Sequence, residues 1–214
     1  RLAAQAGCVA VTGGLEVELC SVSDGPGELQ DSYQAVVRGV AGDAAVTTTV
    51  TDLDVDGLAG LVFAHSIRHR DTAALHLVAE RFGAGSEVLV RADVRPVDGG
   101  PATPLDGLLV DAVLPVTLRL ERAEGLLTAT LVSDATGPRD VVVLSVPVAG
   151  TDLAAYGSLG LLQSGQALDA AYHARFTPPV LAVSFVPPPV VSCVGDTVLP
   201  QSGAALSLSG FAFD

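Results

Sequence analysis

The sequence predicts an all-β protein built as a two-sheet antiparallel β-sandwich. Aliphatic and polar residues alternate along many short segments, as in residues 116–121 (VTLRLE). Half-buried strands produce this pattern, because successive side chains point to opposite faces of a sheet. Gly and Pro interrupt the segments at intervals typical of turns. No segment shows the 3.6-residue apolar stripe of an amphipathic helix.

Three parts are expected along the chain. Residues 1–27 form a β-rich N-terminal extension, in which Leu15, Val17 and Leu19 alternate with polar residues. Residues 28–186 form the main body, where segments such as 88–95 and 168–177 repeat the alternation. The triplet Pro187-Pro188-Pro189 cannot continue a sheet ladder. It therefore separates a C-terminal β-rich extension, residues 187–214, from the main body.

Several segments of the main body occur in the order of a known fold family. They are residues 31–38 (DSYQAVVR), Gly42-Asp43, residues 59–63 (AGLVF), the hairpin 118–130 (LRLERAEGLLTAT), residues 133–137 (SDATG), residues 156–161 (YGSLGL) and residues 171–176 (AYHARF). Together they resemble the concanavalin A-like lectin/glucanase jelly roll (LamG-like) of secreted bacterial proteins. The resemblance implies a jelly-roll fold, an extracellular or cell-surface location and glycan binding.

The sequence departs from this family in two places. Trp, which the family usually has near its variable loop, does not occur in this chain. Ala64-His65 stands where the family has an Arg-Glu pair. Without Trp, a sugar-stacking platform would depend on tyrosine. Tyr172 alternates with core aliphatics and is expected to be buried, so Tyr33, at the start of a strand, is the candidate ligand-binding residue.

The charge of the chain limits the classes of partner that it can bind. It carries 24 acidic and 11 basic residues, a net charge of −13, and every basic residue is Arg. This charge repels a phosphate backbone and an anionic membrane surface, so nucleic-acid binding is not expected. The apolar runs are far shorter than the ~20 residues of a bilayer helix, so membrane insertion is not expected either.

No catalytic arrangement is evident, and the sequence predicts that the chain is not an enzyme. Glycanases of this superfamily use two carboxylates on one strand face. The nearest match is Glu16-Val17-Glu18, which lies outside the region of resemblance and is explained by a solvated strand face. No Gly-x-Ser-x-Gly elbow for a nucleophilic serine occurs.

Asp52, Asp54 and Asp56 precede Gly57 at alternate positions. Two interpretations are open. The three carboxylates match the first half of a calcium loop, although Phe63 stands where an EF-hand has its final Glu. Alternatively, they are the polar face of a strand end followed by a turn. Calcium is the one cofactor that the sequence suggests.

The chain has three cysteines, Cys8, Cys20 and Cys193, so at most one intramolecular disulfide can form. None has the C-x-x-C spacing of a zinc or redox site. The two ends of the chain commonly lie side by side in jelly rolls. The resemblance therefore implies that Cys193 pairs with Cys8 or Cys20.

Two functions are expected from the sequence. The first is a non-catalytic extracellular subunit of a cell-surface assembly or filament, with a structural or adhesive role. The alternative is a carbohydrate-binding, lectin-like module that depends on calcium. Residues 204–213 are apolar, uncharged and free of Pro, so they must be covered. Either they add to a neighbouring subunit, which gives self-association through terminal strands, or they fold back on their own sandwich.

Overall fold

The computed structural model of the chain describes residues 7–12, 16–21, 33–66, 71–101, 107–154, 156–165 and 171–185. These ranges contain thirteen strands and no helix, hence none that could cross a membrane. The strands are β1 (Gly7–Thr12), β2 (Glu16–Ser21), β3 (Gln34–Leu53), β4 (Gly57–Ala64), β5 (Ala74–Glu80), β6 (Glu87–Arg95), β7 (Val110–Val113), β8 (Val116–Ala123), β9 (Leu126–Asp134), β10 (Gly137–Pro147), β11 (Tyr156–Gly165), β12 (Tyr172–Phe176) and β13 (Val180–Phe185). All observed strand pairs are antiparallel. The predicted all-β antiparallel fold is confirmed.

The long strand β3 belongs to both layers of the sandwich. Its first part, residues 34–41, pairs with β11, and β4, β5, β6 and β7 follow in that order to complete the first layer. Its second part pairs with β8 on one side and with β13 and β12 on the other. Strands β9 and β10 continue this second layer beyond β8, and β2 and β1 continue it beyond β12. Between the two parts lie the exposed Gly42, with a φ of 69°, and Asp43.

The main core lies between the two layers. The predicted inward residues of β6 and β8 are buried there, which confirms the alternation read from the sequence. They are Val88, Val90, Ala92, Val94, Val116, Leu118 and Leu120. Val17 and Leu19 of β2 join the same core, as do Ala174 and Phe176 of β12.

The first layer is buried on its other face as well. A second apolar cluster lies along β3, β4, β5 and β11, on the positions that alternate with those of the main core. Its members are Tyr33, Ala35, Val37, Leu58, Val62, Ala64, Ala74, Val78 and Leu162. Burial on both faces explains why β4 is apolar throughout rather than alternating.

Arg122 closes one end of the main core. It continues the inward positions of β8 and is only 3% exposed. Its Nε and Nη2 atoms both donate to the carbonyl oxygen of Gly42, with Nε at 2.8 Å, and its Nη1 donates to Leu153 O at 3.3 Å. The guanidinium also lies 4.8 Å from the ring centre of Phe63. Burial lowers the pKa of Arg122, and the charge of Asp43 opposes that shift.

Asp98, in the segment between β6 and β7, joins three connecting segments. Its Oδ1 accepts hydrogen bonds from Ala73 N at 2.6 Å and Thr72 Oγ1 at 3.1 Å, and its Oδ2 accepts one from His65 Nδ1 at 2.9 Å. Its backbone N–H donates to Asp152 Oδ2 at 2.9 Å. Burial raises the pKa of Asp98, but the hydrogen bonds from Ala73, His65 and Thr72 outweigh it and lower the pKa below its usual value.

The predicted division into residues 1–27, 28–186 and 187–214 stays a prediction. Within the first part, β1 and β2 form a hairpin, and β2 extends the second layer by pairing with β12. Residues 187–214 lie outside the described residues, and with them the apolar stretch 204–213.

Replacing Arg122 with Met should lower the free energy of unfolding by about 3 kcal/mol, because the carbonyl oxygens of Gly42 and Leu153 lose a charged donor. Arg119→Met is the matched control on the same strand, since Arg119 is exposed and pairs only with Glu121 among the described contacts. It should change stability by less than about 0.5 kcal/mol. Urea unfolding measures both, and equal effects would contradict a role for Arg122 at the β3 bend.

Asp98→Asn should lower the melting temperature at neutral pH and lose this effect in acid. A carboxyl with a lowered folded-state pKa stabilises the fold above its unfolded pKa of about 3.9, and this contribution disappears as the pH falls through the folded-state pKa. Melting curves from neutral pH down to about pH 2 should therefore converge for the wild type and the variant. Asp140→Asn, at an exposed position of β10, is the control and should follow the wild type throughout.

Candidate functional site

A cavity of about 340 Å³ lies where the β6–β7 edge of the first layer meets the β9–β10 hairpin of the second layer. Its lining comes from the β5–β6 loop, from β6 and β7, and from the turn of the β9–β10 hairpin. Its volume falls within the range of small-ligand pockets, about 300–1,000 Å³. It is the candidate functional site in the part of the chain that the structure describes.

Arg81 organises the loop that forms one wall of the cavity. Its Nε donates to the carbonyl oxygens of Gly83 at 3.1 Å and Gly85 at 2.8 Å, and its Nη2 donates to Ala84 O at 3.1 Å. Its Nη1 donates to Leu53 O at the end of β3. The loop therefore wraps around one guanidinium, whose planar set of donors can bind several carbonyl groups at once.

This loop presents Phe82 to solvent at the cavity. The ring is 56% exposed and lines the cavity together with Val88 and Leu89 of β6. An exposed aromatic ring beside an open cavity offers an apolar surface to a ligand.

Asp134 lies at the opposite wall, where β9 ends. Its Oδ1 accepts hydrogen bonds from Thr136 N at 2.8 Å and Thr136 Oγ1 at 2.5 Å. Its Oδ2 is buried and forms an ion pair with Arg139 Nη1 at 3.4 Å. The Thr136 hydroxyl lowers the pKa of Asp134, and burial opposes this. The backbone N–H of Thr136, the charge of Arg139 and a backbone hydrogen bond from Val113 add to the lowering.

The walls of the cavity are tied to one another. Ala135 N donates to Val113 O at 3.0 Å, and Arg139 Nη2 donates to Asp111 O at 3.1 Å, so the hairpin turn is fixed to β7. Leu114 N donates to Ser86 O at 2.8 Å, which fixes the end of β7 to the β5–β6 loop. The cavity is therefore held in shape by hydrogen bonds to backbone carbonyl groups, one of them from the Arg139 side chain.

The cavity is electronegative. Its lining residues include three acids, Glu87, Asp111 and the buried Asp134, and one base, Arg139. Three negative charges against one positive charge favour a neutral or cationic ligand, since like charges repel most strongly where water is partly excluded.

The structure places Asp52, Asp54 and Asp56 around the β3–β4 turn. Asp52 Oδ1 accepts from Leu53 N at 3.0 Å, and Asp54 Oδ2 accepts from His173 N at 2.8 Å. Asp56, in the turn itself, has a φ of 60°. No group of three or more His, Cys, Asp or Glu side chains that could hold a metal ion occurs in the described ranges. Calcium binding by these residues stays a prediction.

The exposure expected for Tyr33 is wrong. The ring is only 3% exposed, because it packs in the second apolar cluster, with its centre 5.3 Å from that of His76 in an edge-to-face contact. Tyr172 is buried as predicted, whereas Tyr156 is exposed. Tyr33 therefore offers no surface on which a sugar could stack in this structure.

Cys20 is disulfide-bonded and lies opposite Cys8 in the β1–β2 ladder. Cys193 lies outside the described residues, so the predicted pairing of Cys193 with Cys8 or Cys20 stays a prediction. On the same hairpin, Glu18 Oε1 lies 3.2 Å from His173 Nδ1 and its Oε2 lies 3.8 Å from Arg175 Nε. Glu18 therefore pairs across strands with β12, as a residue on a polar strand face can.

The sequence patterns do not identify the residues that line the cavity. Residues 81–85 (RFGAG) carry one readable signal, a large aromatic residue in a Gly-containing loop between two strands. Asp134 belongs to the quoted segment 133–137, but its burial depends on β7, which is distant along the chain.

No family model matches the sequence, and no curated protein matches it. Among solved structures, the chain is similar to a Saccharomyces cerevisiae protein of unknown function, with 16% identity, a TM-score of 0.54, and coverage of 85% of this chain and 97% of that one. It is also similar to an alginate lyase from Klebsiella pneumoniae, with 16% identity, a TM-score of 0.46, and coverage of 68% of this chain and 60% of the lyase. A xylan β-1,4-xylosidase from Bacillus halodurans C-125 shows 11% identity, a TM-score of 0.46, and coverage of 75% of this chain but 32% of the xylosidase.

These comparisons correct one prediction. The expectation that the chain is not an enzyme is contradicted, because alginate lyases and glycoside hydrolases, which are enzymes of this fold, are among its structural neighbours. The absence of a familiar catalytic motif was therefore no ground for excluding catalysis. The antiparallel strands of the described residues confirm the predicted concanavalin A-like jelly-roll β-sandwich fold.

Proposed function

We propose that this chain binds a polysaccharide, outside the cell or at its surface, in the cavity between Phe82 and Asp134. One observation carries the proposal: a ring held exposed by Arg81 faces a cavity whose other wall holds a buried carboxylate. The fold, shared with polysaccharide-processing proteins, is consistent with it.

The two walls suit the two kinds of surface on a sugar ring. A pyranose has apolar C–H faces, which pack on an aromatic ring, and hydroxyl groups at its edge, which donate to carboxylates. Phe82 supplies the first surface, and the exposed Glu87 and Asp111 supply acceptors for the second. A cavity of about 340 Å³ is large enough for one sugar unit and open enough for a chain to continue.

Charge selects among polysaccharides. The net charge of −13 and the excess of carboxylates at the cavity oppose the approach of a polyuronate. The proposed ligand is therefore a polysaccharide without acidic groups, which differs from the alginate that the Klebsiella lyase is named for.

The other function expected from the sequence, a structural or adhesive subunit that self-associates through terminal strands, stays a prediction. Strand β2 of the N-terminal extension pairs with β12 of its own chain, and residues 204–213, the segment expected to add to a neighbouring subunit, lie outside the described residues.

Phe82→Ala should weaken binding of a neutral oligosaccharide about tenfold, because a half-exposed phenyl ring contributes about 1.5 kcal/mol of apolar contact. The ligand is first chosen from a glycan array that includes neutral glucans and xylans as well as polyuronates, and affinity is then measured by isothermal titration calorimetry. Phe82→Tyr keeps the ring and should keep the affinity. An array on which only polyuronates bind, or equal affinity for Phe82→Ala and the wild type, would contradict the proposal.

Arg81→Lys should weaken binding several-fold because a lysine ammonium cannot hold the carbonyl oxygens of Gly83, Ala84 and Gly85 in one plane. Arg81 acts through Phe82, so the effect should be much smaller in a Phe82→Ala background. A double-mutant cycle on the same ligand measures this coupling. Additive losses would show that Arg81 only supports the stability of the loop.

A further inference from the structure

Strand β13 lies at an open edge of the second layer. Among the described residues its one strand neighbour is β3, with Val180 opposite Thr47 and Val183 opposite Ala44. In an antiparallel pair, every second residue directs its N–H and C=O groups away from the neighbouring strand. Strand β13 therefore presents a row of backbone donors and acceptors that can take up a strand from another chain.

Two other edges of the sandwich are protected against such pairing. Strand β7 has four residues, and the carbonyl oxygens of Asp111 and Val113 already accept hydrogen bonds from the β9–β10 hairpin. Strand β10 contains Pro138, Asp140 and Pro147. Very short strands, prolines and charged side chains are the features by which proteins prevent their edges from pairing.

Strand β13 has none of these features. Its six residues, VLAVSF, include no charged residue and no proline, and they lie within the longest uncharged segment of the chain, residues 176–195. Val180 is 70% exposed and Ala182 is also exposed, whereas Leu181 and Val183 pack against the main core. The edge thus combines open backbone groups with an exposed apolar face.

We propose that β13 pairs with β13 of a second copy of this chain, antiparallel and about a two-fold axis, so that the second layers of two molecules form one continuous sheet. The chain has a net charge of −13, so two copies repel each other where charged surfaces meet, and they can approach closely at an uncharged edge. A two-fold axis makes an antiparallel strand pair self-complementary, so the open backbone groups of both copies are satisfied together. This surface is separate from the cavity at Phe82.

The alternation along β13 limits how two copies can pair. Residues directly opposite each other in an antiparallel pair point to the same face of the sheet. Exposed positions of one copy must therefore lie beside exposed positions of the other, since a shift by one residue would bring Leu181 to the solvent face. Pairing about the middle of the strand then places Ala182 directly opposite or diagonal to Ala182 of the second copy, within about 8 Å.

Two alternatives involve other segments. Residues 204–213 are uncharged and lie outside the described residues, and they could add to β13 of their own chain or of a neighbour. Strand β1 is another uncharged edge among the described strands, but it exposes less apolar surface, since Val11 is 36% exposed. The first experiment distinguishes both alternatives from the β13 pair.

This experiment measures association and hydrogen exchange on the full chain. Analytical ultracentrifugation should show dimers at about 100 µM, because a pair of six-residue strands is a small interface and associates weakly. On raising the concentration from mostly monomer to mostly dimer, the amides of residues 180–185 should exchange more slowly, and those of residues 7–12 and 204–213 should not change. A chain that stays monomeric at about 1 mM would overturn the proposal. So would protection gained in residues 7–12 or 204–213, or none gained in residues 180–185.

The second experiment tests the two-fold axis through charge at Ala182, which is exposed and so tolerates substitution. Ala182→Lys and Ala182→Glu should each raise the dimer dissociation constant about tenfold, because like charges meet near the axis. An equimolar mixture of the two variants should recover the dimer, since a lysine then meets a glutamate.

Ala182→Gln, of similar length but uncharged, and Val142→Lys, at an exposed position of β10, are the controls and should dimerise like the wild type. Equal dissociation constants for Ala182→Lys and Ala182→Gln would overturn the proposal. A mixture of the Lys and Glu variants that associates no better than either alone would also overturn it, because Ala182 would then not meet its own counterpart.

Discussion

The two-layer arrangement depends on the place where β3 passes between the layers, and the buried guanidinium of Arg122 fixes that place. Strand β3 passes from one layer to the other at Gly42, and the carbonyl group exposed by that bend accepts two hydrogen bonds from Arg122. The same guanidinium packs on Phe63 of the first layer and donates to Leu153 O in the loop between β10 and β11. It therefore joins the bend of β3 to the first layer and to that loop. A buried cation is costly unless its donors are used, and here the backbone carbonyl groups of Gly42 and Leu153 accept them.

Arginine repeats this role at other loops. Arg81 gathers the carbonyl groups of the β5–β6 loop, and the buried Arg95 donates to Gly100 O at 3.0 Å and to Thr72 O at 3.2 Å. All the basic residues of this chain are arginine. Where the backbone turns and has no neighbouring strand, the planar guanidinium group supplies hydrogen-bond donors to its carbonyl oxygens. The candidate site depends on one of these arginines, because Arg81 holds the loop that carries Phe82 in its shape.

The fold could be predicted from the sequence because its signal is local. In residues 116–121, the alternation of aliphatic and polar residues indicates which side chains face inward. A shift of the strand by one residue would bury Arg119 and Glu121 instead. The site could not be predicted in the same way. Tyr33 was expected at the surface because nothing near it in sequence shows that its face of β3 joins a buried cluster with β5. Asp134 likewise becomes a buried acceptor only because β7, on the other layer, lies against its turn. Arg122 did carry a local signal, a charge in the inward phase of β8, but its partner Gly42 lies 80 residues away.

The sharing of β3 between the layers also bears on how the chain is made. The second part of β3 obtains one of its two neighbours from β12 and β13, and the hydrogen bond from Thr48 to Thr177 spans 129 residues. During synthesis the second part of β3 therefore keeps one edge unpaired until β12 and β13 have left the ribosome. Contacts this distant slow folding and leave intermediates prone to aggregate. Three threonines alternate along this part of β3: Thr47, Thr49 and Thr51. They make one face of the unpaired strand polar, which lowers its tendency to aggregate with other nascent chains.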